Sequence, residues 1–260
     1  RWRMTALALA VGLALSGVVA QTDEPPLLFV LTGQSNAGQH GRGGQAVDGA
    51  WLYAPQFAGR EWRAMPYRGV FGVELSFAAA VREATGRRVL VVKTYSGGTS
   101  IIAWDSTAPS PMWRQALAKV GNSGKPAMYG RVMQLERDAR AAWGGPVELA
   151  GVLYVQVERD SRMEYGAVRY GDNLRNLIAA WRRDWGVGEL PVILIDAHTN
   201  MNTFGPVVAS AVRDVAATTP GVAWVECRDL PTEDGVHFNS QGLTELGRRM
   251  AGAWLGLWVQ

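Results

Sequence analysis

Cysteine, histidine and net charge are all scarce in this chain of 260 residues. A single cysteine, Cys227, excludes an intramolecular disulfide and any cysteine-built zinc site. It lies in the apolar run Gly221–Cys227 and reads as a small hydrophobe on or near a strand. Three histidines, His40, His198 and His237, are the only imidazoles from which a general base could be drawn. The net charge is +3 and falls to +1 if Arg1 and Arg3 are removed, which argues against nucleic acid or an anionic membrane as partner. No proline- or serine-rich linker, charge run or internal repeat divides the chain, so one domain over residues 21–260 is expected.

No apolar run after residue 20 is long enough to span a membrane. The first twenty residues differ from the rest. Arg1 and Arg3 precede an apolar stretch from Met4 to Leu15, followed by the small residues Ser16-Gly17-Val18-Val19-Ala20. That order reads as a secretory signal peptide over residues 1–20, and hence a secreted or periplasmic protein.

What the chain has in quantity is a short apolar run followed by a glycine-bounded turn, then strand–helix alternation. Leu27-Leu28-Phe29-Val30-Leu31-Thr32 has the length of a buried strand and ends at Gly33-Gln34-Ser35-Asn36-Ala37-Gly38. Further strands are expected at 88–94, 149–157, 191–195 and 222–227. Helices are expected at 74–84, 129–143, 170–185, 205–217 and from 239 onward. Two stretches, 38–72 and 103–127, show little periodicity and read as functional loops. Five strands alternating with helices predict a five-stranded parallel sheet inside a three-layer α/β/α sandwich. Ligands of such sheets bind at the carboxyl ends of the strands. Residues 33–38, 95–100, 156–160, 196–200 and 234–237 should therefore converge.

Ser35 at such an end is either the cap of a following helix or a nucleophile. A nucleophilic serine needs a base and a group that fixes the base's tautomer. Asp234 stands three residues before His237, and in a turn that spacing sets a carboxylate against Nδ1 while Nε2 faces outward. An acyl intermediate also needs donors aimed at a developing oxyanion. The bare backbone of Gly97-Gly98 and the side-chain amide of Gln156 are the candidates.

These stretches together resemble the SGNH hydrolase superfamily, in its sialate O-acetylesterase and carbohydrate esterase family 6 branch, which includes acetylxylan esterases. Gly33-Gln34-Ser35-Asn36 is similar to its first block and Phe71-Gly72-Val73-Glu74-Leu75 to its Gly-x-Glu-Leu segment. Lys93 to Ser100 resembles Lys-x-x-x-Gly-Gly-Thr-Ser, and Asp234-Gly235-Val236-His237-Phe238 the closing Asp-x-Val-His-Phe block. The resemblance covers residues 27–255. It implies a flavodoxin-like fold and removal of acetyl groups from sugar hydroxyls with no cofactor and no metal. Ser35 is then the nucleophile, His237 the base and Asp234 its partner, with the oxyanion held by Ser35 N–H, a Gly97-Gly98 N–H and Gln156. Gln34, Asn36, Thr99, Trp104, Glu158 and His198 lie in or beside these blocks as substrate contacts.

Two departures from the family pattern bear on activity. Gln156-Val157-Glu158-Arg159-Asp160 stands where Gln-Gly-Glu-x-Asp is usual. Val157 would be strained if that position needed a positive φ, or would crowd the acyl pocket if it faced the ligand. Asp196-Ala197-His198-Thr199-Asn200 is also unusual, and His198 is there either a substrate contact or a hydrogen-bonded rim residue. Glu158 and Asp160 could pair as acid and base, but such carboxylates more commonly bind backbone N–H groups or arginines such as Arg159 and Arg162. Of the eleven tryptophans, Trp143, Trp181 and Trp185 have helical spacing and belong to the core. Trp51, Trp62, Trp104 and Trp113 are candidates for stacking on a sugar. Besides a secreted carbohydrate esterase, the sequence admits a non-catalytic glycan-binding protein or an acyltransferase on the same fold.

Overall fold

The computed structural model describes residues 24–38, 40–196 and 203–259. The signal-peptide reading and His198 both lie outside the described residues. The strands are β1 (Leu27–Gly33), β2 (Gly41–Arg42), β3 (Ala50–Tyr53), β4 (Trp62–Ala64), β5 (Val70–Phe71), β6 (Val89–Tyr95), β7 (Glu148–Val155), β8 (Val192–Ile195) and β9 (Val222–Val225). The helices are α1 (Pro55–Ala58), α2 (Val73–Thr85), α3 (Pro111–Lys119), α4 (Met128–Trp143), α5 (Glu164–Ala167), α6 (Tyr170–Trp185), α7 (Gly205–Thr218) and α8 (Ser240–Trp258).

Seven of the strands form one sheet in the order β4-β3-β6-β1-β7-β8-β9, parallel throughout except where β4 runs against β3. The sheet is therefore wider than the five strands expected. The two additional strands come from the stretch 38–72 that reads as a loop. They are only four and three residues long, too short to show a period. Ala50–Tyr53 is made a strand by lying in register beside Val89–Val92, not by its own pattern. Helix α3 likewise lies in a stretch read as irregular. Ser110 caps it through Oγ, and Pro111 occupies its first turn.

Helices cover both faces. On one, Phe29 of β1 meets Phe77 of α2 and Trp254 of α8 edge-on, with ring centroids 4.8 and 5.1 Å apart. On the other, Tyr154 of β7 sits between Trp104 and Trp181 of α6. The long helices are amphipathic, and their core stripes are buried; Tyr170, Leu174, Leu177, Ile178 and Trp181 form that of α6.

The register of the three central strands positions the site. Gly33 lies beside Tyr95 of β6 and Val155 of β7, so the segments after them leave the sheet together. Gly33 has φ +152°, and a Cβ there would fall 1.9 Å from the Val155 carbonyl oxygen. Only glycine lets the chain swing out at this point. The next turn is held from below by Lys93, buried on β6, whose Nζ donates to the Gly38 carbonyl (2.8 Å) and to Glu74 at the start of α2 (2.7 Å). Burial pushes the Lys93 pKa down while the Glu74 carboxylate opposes that shift. Removing one partner of such a pair strands a buried charge, at a cost of about 3–5 kcal/mol.

Candidate active site

Ser35 opens a three-residue 3-10 turn, Ser35–Ala37, and among the described residues its side chain caps no backbone N–H. The hydroxyl instead faces His237, with Oγ 3.0 Å from Nε2. Backbone contacts hold the turn: Gly38 N–H donates to the Ser35 carbonyl at 2.8 Å, and His40 Nε2 meets the same oxygen at 2.7 Å.

Asp234 organises the loop that carries His237. One carboxylate oxygen accepts from the N–H groups of Val236 (2.9 Å) and His237 (2.7 Å), while the other meets His237 Nδ1 at 2.7 Å. The backbone N–H of His237, then its ring and the N–H of Val236, hold the Asp234 carboxyl well below the usual carboxylate range. An ionised Asp234 accepts the Nδ1 proton, so the neutral ring presents the Nε2 lone pair to Ser35. The hydroxyl then donates to Nε2.

Asn36 sets the distance between these two segments. Its Nδ2 donates to the Val236 carbonyl (3.0 Å) and to Glu158, and its Oδ1 accepts from Phe238 N–H (3.1 Å). It thus grips both neighbours of His237 from the residue next to Ser35, and its side chain is fully buried. Asn36 is therefore a clamp, not a substrate contact. Asn36→Ala is expected to lower kcat about 100-fold, as misplacement of a catalytic group by about 1 Å does. The loss should persist at saturating substrate; unchanged kcat would show that the loop keeps its place without Asn36.

Gly97 and Gly98 turn beside Ser35. A Cβ on Gly97 would lie 3.8 Å from that of Ser35. Neither these two N–H groups nor that of Ser35 has an acceptor among the described residues. Their carbonyls are occupied, Gly97 by Lys125 Nζ at 2.5 Å and Gly98 by Asn122 Nδ2 at 3.2 Å.

Gln156 is elsewhere. Its amide nitrogen donates to Asp160 (2.7 Å) and the Thr99 carbonyl (3.0 Å), and its amide oxygen accepts from the Tyr170 hydroxyl (2.9 Å). A buried carboxylate needs donors. Asp160 takes the amide along with Ser100 Oγ (2.6 Å) and Ile101 N–H (2.9 Å), so no donor of Gln156 is left for an oxyanion. Asp160 does not reach the cavity, and neither it nor Glu158 pairs with Arg159 or Arg162. An acid–base pair of Glu158 with Asp160 is thereby removed. Glu158 does reach the cavity, and burial pushes its pKa up against the Asn36 hydrogen bond.

Val157 neither strains the backbone nor crowds the pocket. Among the described residues only Arg68 is a non-glycine with positive φ, and the Val157 side chain is buried in the core. Thr99 is buried too, its hydroxyl spent on the Ser96 carbonyl at 2.6 Å. Trp104 is fully buried and donates to Thr32 Oγ1 at 3.1 Å; Trp113 donates to the Ile102 carbonyl; Trp51 and Trp62 pack on Trp143. None of the four lines the cavity. Asp196 is a buried strut, paired with Arg213 and Arg228 and accepting from Cys227 N–H.

The cavity over Ser35 has a volume of about 560 Å³ and is bounded by Gln34, the Gly97-Gly98 turn, Glu158, Val236 and His237. Arg159 and Arg162 complete its wall. Neither they nor Lys125 has a carboxylate partner among the described residues: Arg159 donates to the Val120 carbonyl at 2.9 Å, and the Arg162 side chain is exposed and unpaired. A larger groove of about 830 Å³ beside α2 and α8 contains none of these groups. In the sequence Arg159 and Arg162 read only as partners of carboxylates and His40 only as one of three possible bases, while Asn122 and Lys125 carry no signal beyond proximity to a glycine turn.

The family model for carbohydrate esterases of the sialic acid-specific acetylesterase type matches residues 25–256. A probable carbohydrate esterase from Arabidopsis thaliana is 25% identical over 190 residues, covering 71% of this chain and 63% of that protein. In its X-ray structure it superimposes with a TM-score of 0.70 at 22% identity, over 90% of this chain and 99% of the other. A carbohydrate acetylesterase from Xanthomonas citri gives a TM-score of 0.68 at 17% identity, over 90% of this chain and 57% of that one. The α/β/α architecture is thus shared with both of these proteins.

Proposed function

The chain belongs to the carbohydrate esterase family of sialic acid-specific acetylesterases, and from that premise we propose that it removes O-acetyl groups from sugars through an acyl-Ser35 intermediate. The observation that carries this reading is the unbroken line from Asp234 through His237 to Ser35, with the Oγ–Nε2 distance of 3.0 Å. His237 Nε2 takes the hydroxyl proton as Oγ attacks the acetyl carbonyl. The oxygen that gains charge meets the unengaged N–H groups of Ser35 and the Gly97-Gly98 turn. Collapse expels the sugar oxygen, which receives the proton from Nε2. Water, activated by the same nitrogen, then releases acetate and restores Ser35. The reading from residues 1–20 adds that the reaction takes place outside the cytoplasm.

The charge of the wall favours an acetylated sugar that carries a carboxylate. Arg162 has an exposed guanidinium with no partner among the described residues, and such a fork matches a carboxylate in two hydrogen bonds. The test is acetate release from acetylated sialic acid, acetylated xylan and a small aryl acetate, with Ser35→Ala as control. Wild type should release acetate from a sugar substrate and prefer the acidic one. Arg162→Met should raise KM for the acidic sugar about fivefold, the value of about 1 kcal/mol for an exposed ion pair. Its kcat and its aryl acetate turnover should stay unchanged. An equal effect of Arg162→Met on neutral xylan would assign Arg162 no role in reading charge. Retention of bound sugar with no acetate released would instead mark a glycan-binding protein.

A further inference from the structure

We propose that Lys125 is a positioning residue for the oxyanion donors, setting both the direction and the strength of the Gly97-Gly98 turn. The inference rests on the esterase reading above and adds a group outside the Ser35, His237 and Asp234 line. The Gly97 carbonyl and the Gly98 N–H belong to one peptide group. Lys125 Nζ sits 2.5 Å from that carbonyl oxygen. A cation there draws electron density toward oxygen through the conjugated amide and leaves the N–H at the other end a stronger donor. It also fixes which way the peptide plane faces, because the carbonyl it holds and the N–H it leaves free point in opposite directions.

The turn needs such a hold. Gly98 has φ +62°, and both glycines lack side chains to restrain them. Asn122 secures the following peptide, donating to the Gly98 carbonyl (3.2 Å) while its Oδ1 accepts from Ser100 N–H (2.6 Å). Lys125 N–H donates in turn to the Asn122 carbonyl at 2.8 Å, so the two supports form one unit. No carboxylate neutralises Lys125 among the described residues. Its whole charge lies behind the peptide that adjoins Ser35. A structural lysine on a loop would ordinarily find water or an acid. This one is half-buried and ends on the carbonyl of the turn beside the nucleophile.

The experiment compares wild type, Lys125→Met, Lys125→Gln, Lys125→Arg and Ser35→Ala on an aryl acetate, with phenylboronic acid as inhibitor. In the boronate adduct a Ser35 Oγ–boron bond forms, the hydroxyl proton passes to His237, and the tetrahedral boron carries the negative charge. Lys125→Met should lower kcat about 10- to 50-fold, short of the 10²- to 10³-fold cost of deleting an oxyanion donor itself. KM should change less than about twofold, and the boronate inhibition constant should rise in the same ratio as kcat falls. Lys125→Gln should fall between, and Lys125→Arg should recover most of the rate. A Lys125→Met protein with wild-type kcat and boronate affinity would overturn the proposal, as would a change confined to KM. If wild type shows no Ser35-dependent turnover, the esterase reading fails. Boronate affinity then decides on Lys125 alone: a loss in Lys125→Met supports it, and equal affinity overturns it.

Discussion

Ser35→Ala is expected to lower kcat for acetyl-ester hydrolysis by about 10⁴- to 10⁶-fold, the loss seen when a serine nucleophile is deleted from an intact site. The fold should be indifferent to the change. Among the described residues the Ser35 side chain makes a single hydrogen bond, to His237, and the turn is held by other atoms: the Ser35 carbonyl with Gly38 and His40, and the Gly38 carbonyl with Lys93. Loss of one half-buried hydroxyl costs about 0.5–1.5 kcal/mol, which for a chain of this size moves Tm by a few degrees at most, about 2–4 °C per kcal/mol. The measurement is turnover and Tm on the same preparation. With a fast-leaving aryl acetate, wild type should also show an initial burst of phenol equal to the enzyme present, from acyl-enzyme accumulation, and Ser35→Ala should show none. Undiminished hydrolysis by a folded Ser35→Ala protein would move the nucleophile elsewhere.

How the sequence foretells this site depends on the kind of interaction involved. Strand β1 is legible because an apolar run bounded by glycine has few alternatives, and long helices such as α6 show their period. Parallel strands then force their carboxyl ends together, which is why Ser35 and His237, 202 positions apart, meet across one hydrogen bond. Hydrogen-bond partners inside the site follow no such rule. Gln156 stands at a strand end like the others, yet the buried Asp160 four residues on competes for its amide and takes it. Asn36 looks like a polar group beside a nucleophile, and only the packed loop shows it spent on Val236 and Phe238. Trp104 and Trp113 stand in an aperiodic stretch that reads as exposed, but the chain folds them inward, each with its indole N–H on a buried oxygen. Strands β3 and β4 are invisible for a related reason: their conformation is imposed by neighbouring strands. Local pattern thus fixes where backbone leaves the sheet, while long-range competition for donors decides which side chains remain free to act.

Asp234→Asn separates the two jobs of that residue, and its expected effect is a fall in kcat/KM of about 10³- to 10⁴-fold with the loop intact. The first job is architectural: one oxygen accepts from the N–H groups of Val236 and His237, and an asparagine Oδ1 does the same. The second is to select the tautomer. The other oxygen meets His237 Nδ1 at 2.7 Å; an amide NH₂ in its place is a donor, so Nδ1 must become the acceptor and the ring proton moves to Nε2. A protonated Nε2 faces Ser35 Oγ and cannot take its proton, which is how an equivalent substitution costs serine proteases about 10⁴ in kcat. The pH dependence follows from the same geometry. Because the Asp234 carboxyl is held below the usual carboxylate range, chiefly by the His237 backbone N–H, its contribution is lost only as pH falls through that lowered value. Asp234 therefore stays ionised through the range in which ordinary carboxylates take up a proton, and the tautomer it selects persists there. If Asp234→Asn kept activity within about tenfold of wild type, the carboxylate would be a loop tie alone, and the chemistry assigned to Ser35 would have to run without a fixed tautomer.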